Sequence, residues 1–99
     1  MKKADDLMIR NFKNKNLRRL FEDGQAKGIE QNLVLRLERR LDALNAATAA
    51  TDLDIPGFDL HQLKGERRGT WSVKVSGNWR VTFTFKDGDA HEVDLEDYH

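Results

Sequence analysis

The apolar period of this chain changes once, from 3.6 residues to 2, and the change falls around its only proline, Pro56. Before it, Leu33, Leu37, Leu41 and Leu44 recur on one helical face, with Val34 beside them. After it, Trp71, Val73 and Val75 alternate with polar residues. So do Trp79, Val81, Phe83 and Phe85, and then His91, Val93 and Leu95. A 3.6 period buries one stripe of a helix, and a period of 2 buries one face of a sheet. Helical pattern first and strand pattern second predicts an α+β fold: a short N-terminal strand, two helices, then a twisted antiparallel sheet of three to four strands, with the helices on one face. The 99 residues make one domain, since separate cores need roughly 100 residues each.

Local signals set the boundaries. Residues 1–7 are polar and charged and are expected to form a flexible extension ahead of a single domain over 8–99. Residues 8–12 alternate weakly, as a short strand does. Asn14 or Asn16 can cap a helix running to Asp23, with Leu17, Leu20 and Phe21 on one side and Gly24 and Gly28 bracketing its end. The longer helix is expected over 30–47, and the low-complexity run 46–51 is expected to fray. Pro56-Gly57 marks a turn, and Phe58, Leu60 and Leu63 suggest a strand. Residues 64–69 form a loop bounded by glycines; Ser76-Gly77-Asn78 and Lys86-Asp87-Gly88-Asp89 are turns, the Asp-Gly pair a strong hairpin signal.

Composition removes whole classes of chemistry. With no cysteine there is no disulfide, thiolate metal site or cysteine nucleophile. No apolar run approaches the ~18 residues of a membrane span and no apolar signal region opens the chain, so no membrane role and a cytoplasmic location are expected. Formal net charge is zero, but the first 50 residues carry 11 Lys and Arg against 7 Asp and Glu, and the remainder 6 against 10. Two stretches are locally basic. One holds Arg10, Lys13, Lys15, Arg18 and Arg19; the other holds Lys64, Arg67, Arg68, Lys74 and Arg80 against Glu66 alone. On charge alone these are solvated surface, since mixed charge is normal for soluble domains.

The three histidines, His61, His91 and His99, lack metal-ligand spacing, so no metal site and no cofactor are expected. No phosphate loop is present, and neither Ser72 nor Ser76 sits in a nucleophile elbow. If the apolar positions of the 79–85 strand face the helices, Arg80, Thr82 and Thr84 face the other way, with Ser72 and Lys74 beside them. That puts Arg80 and Lys74 on an open face, with His61 and Lys64 entering from the adjacent strand and loop, a surface suited to an RNA backbone. Trp71 and Trp79 share the apolar phase and are expected in the core.

Four segments carry a family resemblance: Leu60-His61-Gln62-Leu63-Lys64-Gly65; the block from Gly69 through Trp71-Ser72-Val73 to Gly77-Asn78-Trp79-Arg80-Val81-Thr82-Phe83; Asp87-Gly88-Asp89-Ala90; and the terminal Glu96-Asp97-Tyr98-His99. Together they resemble the HigB-type, or plasmid maintenance killer, toxins of the RelE-like toxin–antitoxin superfamily, over nearly the whole chain from Met8 to His99. The resemblance implies a toxin that cleaves mRNA on the ribosome and a helix-turn-helix antitoxin partner (HigA-like), the toxin being a monomer when free and part of a hetero-oligomer with the antitoxin. It also implies that His61, Lys64, Arg80, Asp97, Tyr98 and His99 are catalytic. Cleavage without metal needs a base for the 2′-hydroxyl proton, an acid for the leaving 5′-oxygen, and cations on the charged phosphorane. His99 and His61 are the candidates for acid and base, in either order; Lys64 and Arg80 would hold phosphate, Tyr98 stack on or orient a nucleotide, and Asp97 fix a histidine tautomer or move a proton. Lys74, Arg67 and Arg68 are further RNA-binding candidates. Arg10, Lys13, Lys15, Arg18, Arg19, Arg36, Arg39 and Arg40 are candidates for ribosomal RNA contact, against an equally good reading as solvated helix surface. Two rival functions share the fold: a toxin acting without RNA cleavage, on DNA gyrase for example, and an inactive RNA- or antitoxin-binding module.

Overall fold

A computed structural model describes residues 9–98. The expected extension 1–7, Met8 and His99 lie outside the described residues. Two helices, α1 (Lys15–Asp23) and α2 (Val34–Ala46), precede four strands, β1 (His61–Gln62), β2 (Thr70–Ser76), β3 (Trp79–Lys86) and β4 (Asp89–Asp97). The sheet is antiparallel with spatial order β1-β2-β3-β4, so every neighbour in sequence is a neighbour in space.

Each element begins and ends for a local reason. Asn14 is the cap of α1: its Oδ1 accepts from the Asn16 and Leu17 amides at 2.8 and 3.0 Å. Gly24 closes the helix in the left-handed region, φ +69°, where a side chain would be strained. The β3–β4 turn places Asp87 and Gly88 at φ +54° and +80°, the pair of positive angles that a two-residue hairpin with Asp-Gly requires.

The core lies between the helices and one sheet face. Leu17 and Leu20 of α1 and Leu37, Leu41 and Leu44 of α2 meet Val73, Val75, Val81, Phe83, Ala90 and Val93, all buried. Trp71 and Trp79 share this face but are only half-buried at its margin.

Several expectations need correction. The N-terminal strand reduces to two single parallel bridges, Ile9 to Ala90 and Phe12 to Val93. A bulge at Glu92, φ +53°, breaks the regular ladder on β4, and Asn11 Oδ1 accepts from the Glu92 amide at 2.6 Å. The longer helix starts with a 3₁₀ turn, Gln31–Leu33, and is α-helical only from Val34. The alanine run does not fray. Ala47, Ala50 and Leu53 are buried, and Asp52 Oδ2 accepts from the Thr48 and Ala49 amides at 3.0 and 3.3 Å, which holds its carboxyl below the usual carboxylate range. Phe58 and Leu60 lie before β1 and Leu63 after it: Phe58 is anchored by its carbonyl, which accepts from the Lys74 amide at 2.6 Å.

Arg40 is the largest departure. It was expected on a solvated helix face with Arg36 and Arg39; instead it is 8% exposed. Its Nε donates to the Lys74 carbonyl at 2.7 Å and its Nη1 to the Arg36 carbonyl at 3.2 Å, while the guanidinium lies 4.4 Å from the centre of the Phe58 ring. Desolvation, then the charges of Arg36 and Arg39, push its pKa down. Its N–H groups are committed to the fold, and it leaves the set available to ribosomal RNA.

Candidate active site

The site forms on the sheet face away from the helices, where strand pairing sets the spacing. His61 lies opposite Ser72 in the β1–β2 pair, Ser72 opposite Thr82, and Lys74 opposite Arg80 in the β2–β3 pair. These partners share one face because side chains alternate along a strand. The face is not simply open. Ser72 and Thr82 are 1% and 2% exposed. Both lie beneath the charged side chains that hydrogen-bond to them.

Arg80 is held in place. Its Nε donates to Ser72 Oγ at 2.8 Å and its Nη2 to the Asp59 carbonyl at 2.6 Å, with Asp59 Oδ2 3.6 Å from Nη1. A side chain only 14% exposed, fixed from two sides, presents its remaining N–H groups in one orientation. Ser72 thereby acquires a role different from that of a nucleophile: its hydroxyl orients Arg80. His61 projects from the short edge strand, its side chain 62% exposed, with Nδ1 3.0 Å from the Asp59 carbonyl and 3.4 Å from Asp59 Oδ1.

These groups converge. His61, Gln62, Leu63, Lys64, Ser72, Arg80 and Tyr98 line one open cleft of about 400 Å³. A volume at the lower end of ordinary ligand sites suits a nucleotide-sized portion of a longer substrate. Tyr98 is held at the cleft by its amide, which donates to the Asn78 carbonyl at 2.8 Å, and its ring is exposed.

The remaining expected site residues distribute unevenly. Asp97 pairs across from Trp79, at a position that alternation puts on the other sheet face from Arg80. Lys74 is exposed next to Arg80 but outside the cleft lining, and Arg68 is exposed with its carbonyl accepting from Gln62 Nε2 at 2.6 Å. Arg67 makes a bidentate pair with Glu96, at 2.9 and 2.7 Å, and Thr82 Oγ1 donates to the same carboxylate at 2.6 Å. Arg67 thus ties the loop after Lys64 to the strand that leads to Tyr98. Of the basic N-terminal set, Arg10 pairs with Asp89 at 2.7 Å, Arg19 reaches Asn16 Oδ1 at 3.4 Å, and Lys13, Lys15, Arg18, Arg36 and Arg39 are exposed. Among the described residues, no three His, Asp or Glu side chains are grouped as metal ligands.

The Arg67–Glu96 pair predicts an acid-sensitive site. The Arg67 hydrogen bonds, followed by those of Thr82 and the charges of Arg67 and Lys13, hold the Glu96 carboxyl below its ordinary range against an opposing effect of burial. A carboxyl lowered in the folded state stabilises above the unfolded value of about 4.3 and loses that contribution as pH falls through its folded pKa. Because Arg67 is 42% exposed, solvent screening limits the pair to about 1 kcal/mol. Chemical denaturation of wild type and Glu96→Gln should show that difference at neutral pH, and the two curves should converge as pH falls from the unfolded value of about 4.3 through the lower folded pKa.

Two residues that complete the site carried no sequence signal of their own. Asp59 immediately precedes the Leu60–Gly65 motif and contacts both His61 and Arg80. Glu96 belongs to the terminal segment but reads there as one acid among several; only the register opposite Arg80 reveals its position.

Comparison with known proteins identifies the family of the chain. Residues 10–99 match the family of RelE-like toxins of the type II toxin–antitoxin system HigB. The chain is 46% identical over 92 residues to Endoribonuclease HigB of Proteus vulgaris, covering 93% of this chain and 100% of that one. It is 34% identical over 91 residues to Toxin HigB-1 of Vibrio cholerae, covering 90% and 96% respectively. Among the described residues, no helix is long and apolar enough to cross a membrane. With its two helices against a four-stranded antiparallel sheet, and with family identity along nearly its full length, this chain belongs to the RelE-like HigB toxins of type II toxin–antitoxin systems.

Proposed function

We propose that this toxin is an endoribonuclease that cuts mRNA during translation and so halts protein synthesis in the cytoplasm. The observation that carries the reading is the convergence of His61, Lys64, Arg80 and Tyr98 on one cleft from three separate parts of the chain. Its relative of 46% identity is an endoribonuclease by name.

In the proposed reaction the ribose 2′-oxygen attacks the adjacent phosphorus and the bond from phosphorus to the 5′-oxygen breaks. The products are a 2′,3′-cyclic phosphate and a 5′-hydroxyl. His61 takes the 2′-hydroxyl proton on Nε2, and His99 gives a proton to the leaving 5′-oxygen. Arg80 and Lys64 stabilise the added charge on the phosphoryl oxygens, Arg80 with its prearranged fork. Tyr98 offers its exposed ring for stacking on a base. Asp97 would act on His99, its neighbour but one.

The exposed cations Lys13, Lys15, Arg18, Arg36 and Arg39 supply a surface for ribosomal RNA. The ribosome would align a substrate that a cleft on the sheet surface holds loosely, a positioning contribution to the rate. A helix-turn-helix antitoxin is the expected partner, forming a hetero-oligomer with a toxin that is a monomer when free.

The test is cleavage of mRNA by purified protein with and without ribosomes, the cut sites mapped by primer extension. Codon-phased cuts that require ribosomes are expected, together with loss of cutting and of growth arrest in His99→Ala. Growth arrest that persists undiminished in that variant would overturn the nuclease reading.

A further inference from the structure

Two of the groups on the wall of the cleft, His61 and Arg80, meet at one residue outside the motif, Asp59. Its carbonyl oxygen accepts from Arg80 Nη2 at 2.6 Å and lies 3.0 Å from His61 Nδ1. The backbone there is left-handed, φ +48°, a conformation that costs most residues about 1–3 kcal/mol and that Asp and Asn tolerate best after Gly. Both flanks are fixed. On one side the buried Phe58 lies against Arg40 and its carbonyl accepts from the Lys74 amide at 2.6 Å. On the other, His61 pairs with Ser72. Between two anchored neighbours, the reversal of backbone hand sets the direction of the Asp59 carbonyl.

We propose that Asp59 is a positioning residue for RNA cleavage: its left-handed carbonyl fixes His61 as the Nδ1–H tautomer and holds Arg80 at a set distance from it. This rests on the reading of His61 as the group that takes the 2′-hydroxyl proton. A carbonyl oxygen has no proton to give, so a hydrogen bond at 3.0 Å requires the proton on Nδ1. Nε2 then carries the lone pair and is the nitrogen left to act as base. The same oxygen anchors Arg80, so base and phosphate fork share one origin, and a shift at Asp59 displaces both. The Asp59 carboxylate is secondary. It is 54% exposed and stands farther off, 3.4 Å from His61 Nδ1 and 3.6 Å from Arg80 Nη1.

The test reads the tautomer without RNA. In ¹⁵N-labelled full-length protein, at a pH where the ring is neutral, two-bond proton–nitrogen correlations tell the protonated ring nitrogen from the bare one. Wild type should show His61 with Nδ1 protonated and Nε2 bare. Asp59→Gly keeps the left-handed backbone without the carboxylate; it should keep that signature and lose less than about tenfold in ribosome-dependent cleavage. Asp59→Val, β-branched and disfavoured at positive φ, should lose the signature and about 10–100-fold in maximal cleavage rate. A wild-type His61 carrying its proton on Nε2 would overturn the proposal, as would loss of the signature in Asp59→Gly or its retention in Asp59→Val. If Asp59→Val fails to fold, the spectra of wild type and Asp59→Gly still decide. A wild-type protein with the expected spectrum and no cutting on ribosomes would overturn the nuclease reading instead and leave the tautomer assignment in place.

Discussion

Replacing His61 by glutamine should lower ribosome-dependent cleavage by about 10²–10⁴-fold while leaving the melting temperature within a degree or two, because a positioned acid or base contributes about that factor. The residue lends itself to a clean test. Its side chain is 62% exposed on a two-residue edge strand, so little packing is lost with it. Glutamine stays polar and similar in size but has no nitrogen that can take a proton near neutral pH. The measurement is the single-turnover rate of cutting a defined message on saturating ribosomes, with a thermal melt beside it. A rate within threefold of wild type, from a folded protein, would remove His61 from the chemistry and move the proton acceptor elsewhere in the cleft.

The largest expected loss of stability is at Arg40. Arg40→Met keeps the apolar stem and removes the guanidinium that serves the Lys74 and Arg36 carbonyls and covers the Phe58 ring. Exchanging a buried charge for a hydrophobe is often neutral, because burying the charge is itself costly. Here the lost partners decide the sign. The part-buried Lys74 carbonyl loses a 2.7 Å charged hydrogen bond, a cost of about 1–3 kcal/mol, and the cation–π contact adds about 1 more. A total of about 2–4 kcal/mol should lower the melting temperature of a domain this size by 10 °C or more. A drop below about 3 °C in calorimetry would mean that water enters and satisfies the carbonyl. Cleavage at low temperature should suffer less than stability does, since Arg40 touches the site only through Phe58 and Lys74.

The order of elements was legible because each depends on local information. The leucine stripe of α2, the alternation in β2 and β3 and the Asp87-Gly88 turn are all written within a few neighbouring residues. The pairing of Lys74 with Arg80 followed from the same alternation. Arg40 was misplaced because charge outweighs position in a sequence pattern. Its place on the same side of α2 as Leu37, Leu41 and Leu44 was visible, but its carbonyl partner Lys74, 34 residues away, was not. The alanine run was misplaced for the converse reason: weak helical pattern suggests fraying, whereas the Asp52 carboxylate locks the turn from outside it. In the site, His61, Lys64, Arg80 and Tyr98 came from recognisable motifs. Asp59 had no such motif, because its contribution comes from a main-chain oxygen and a backbone angle. Arg67 read as a free cation because its partner Glu96 lies 29 residues downstream.

The first described residues lie along the last strand. Arg10 donates its amide to the Ala90 carbonyl, Lys13 to Val93, and Arg10 also pairs with Asp89 across 79 residues. Most other pairings in this sheet are between sequence neighbours and can form as the chain emerges. This contact closes a loop of nearly the whole chain and must wait until β4 exists. The cleft has the same schedule, because Tyr98 follows β4 and Glu96 clamps the Lys64 loop from it. A chain that lacks β4 therefore has part of its core but neither the Glu96 clamp nor Tyr98 at the cleft, and residues 10–13 have no strand to dock on, so the toxin's surface is finished only after its interior.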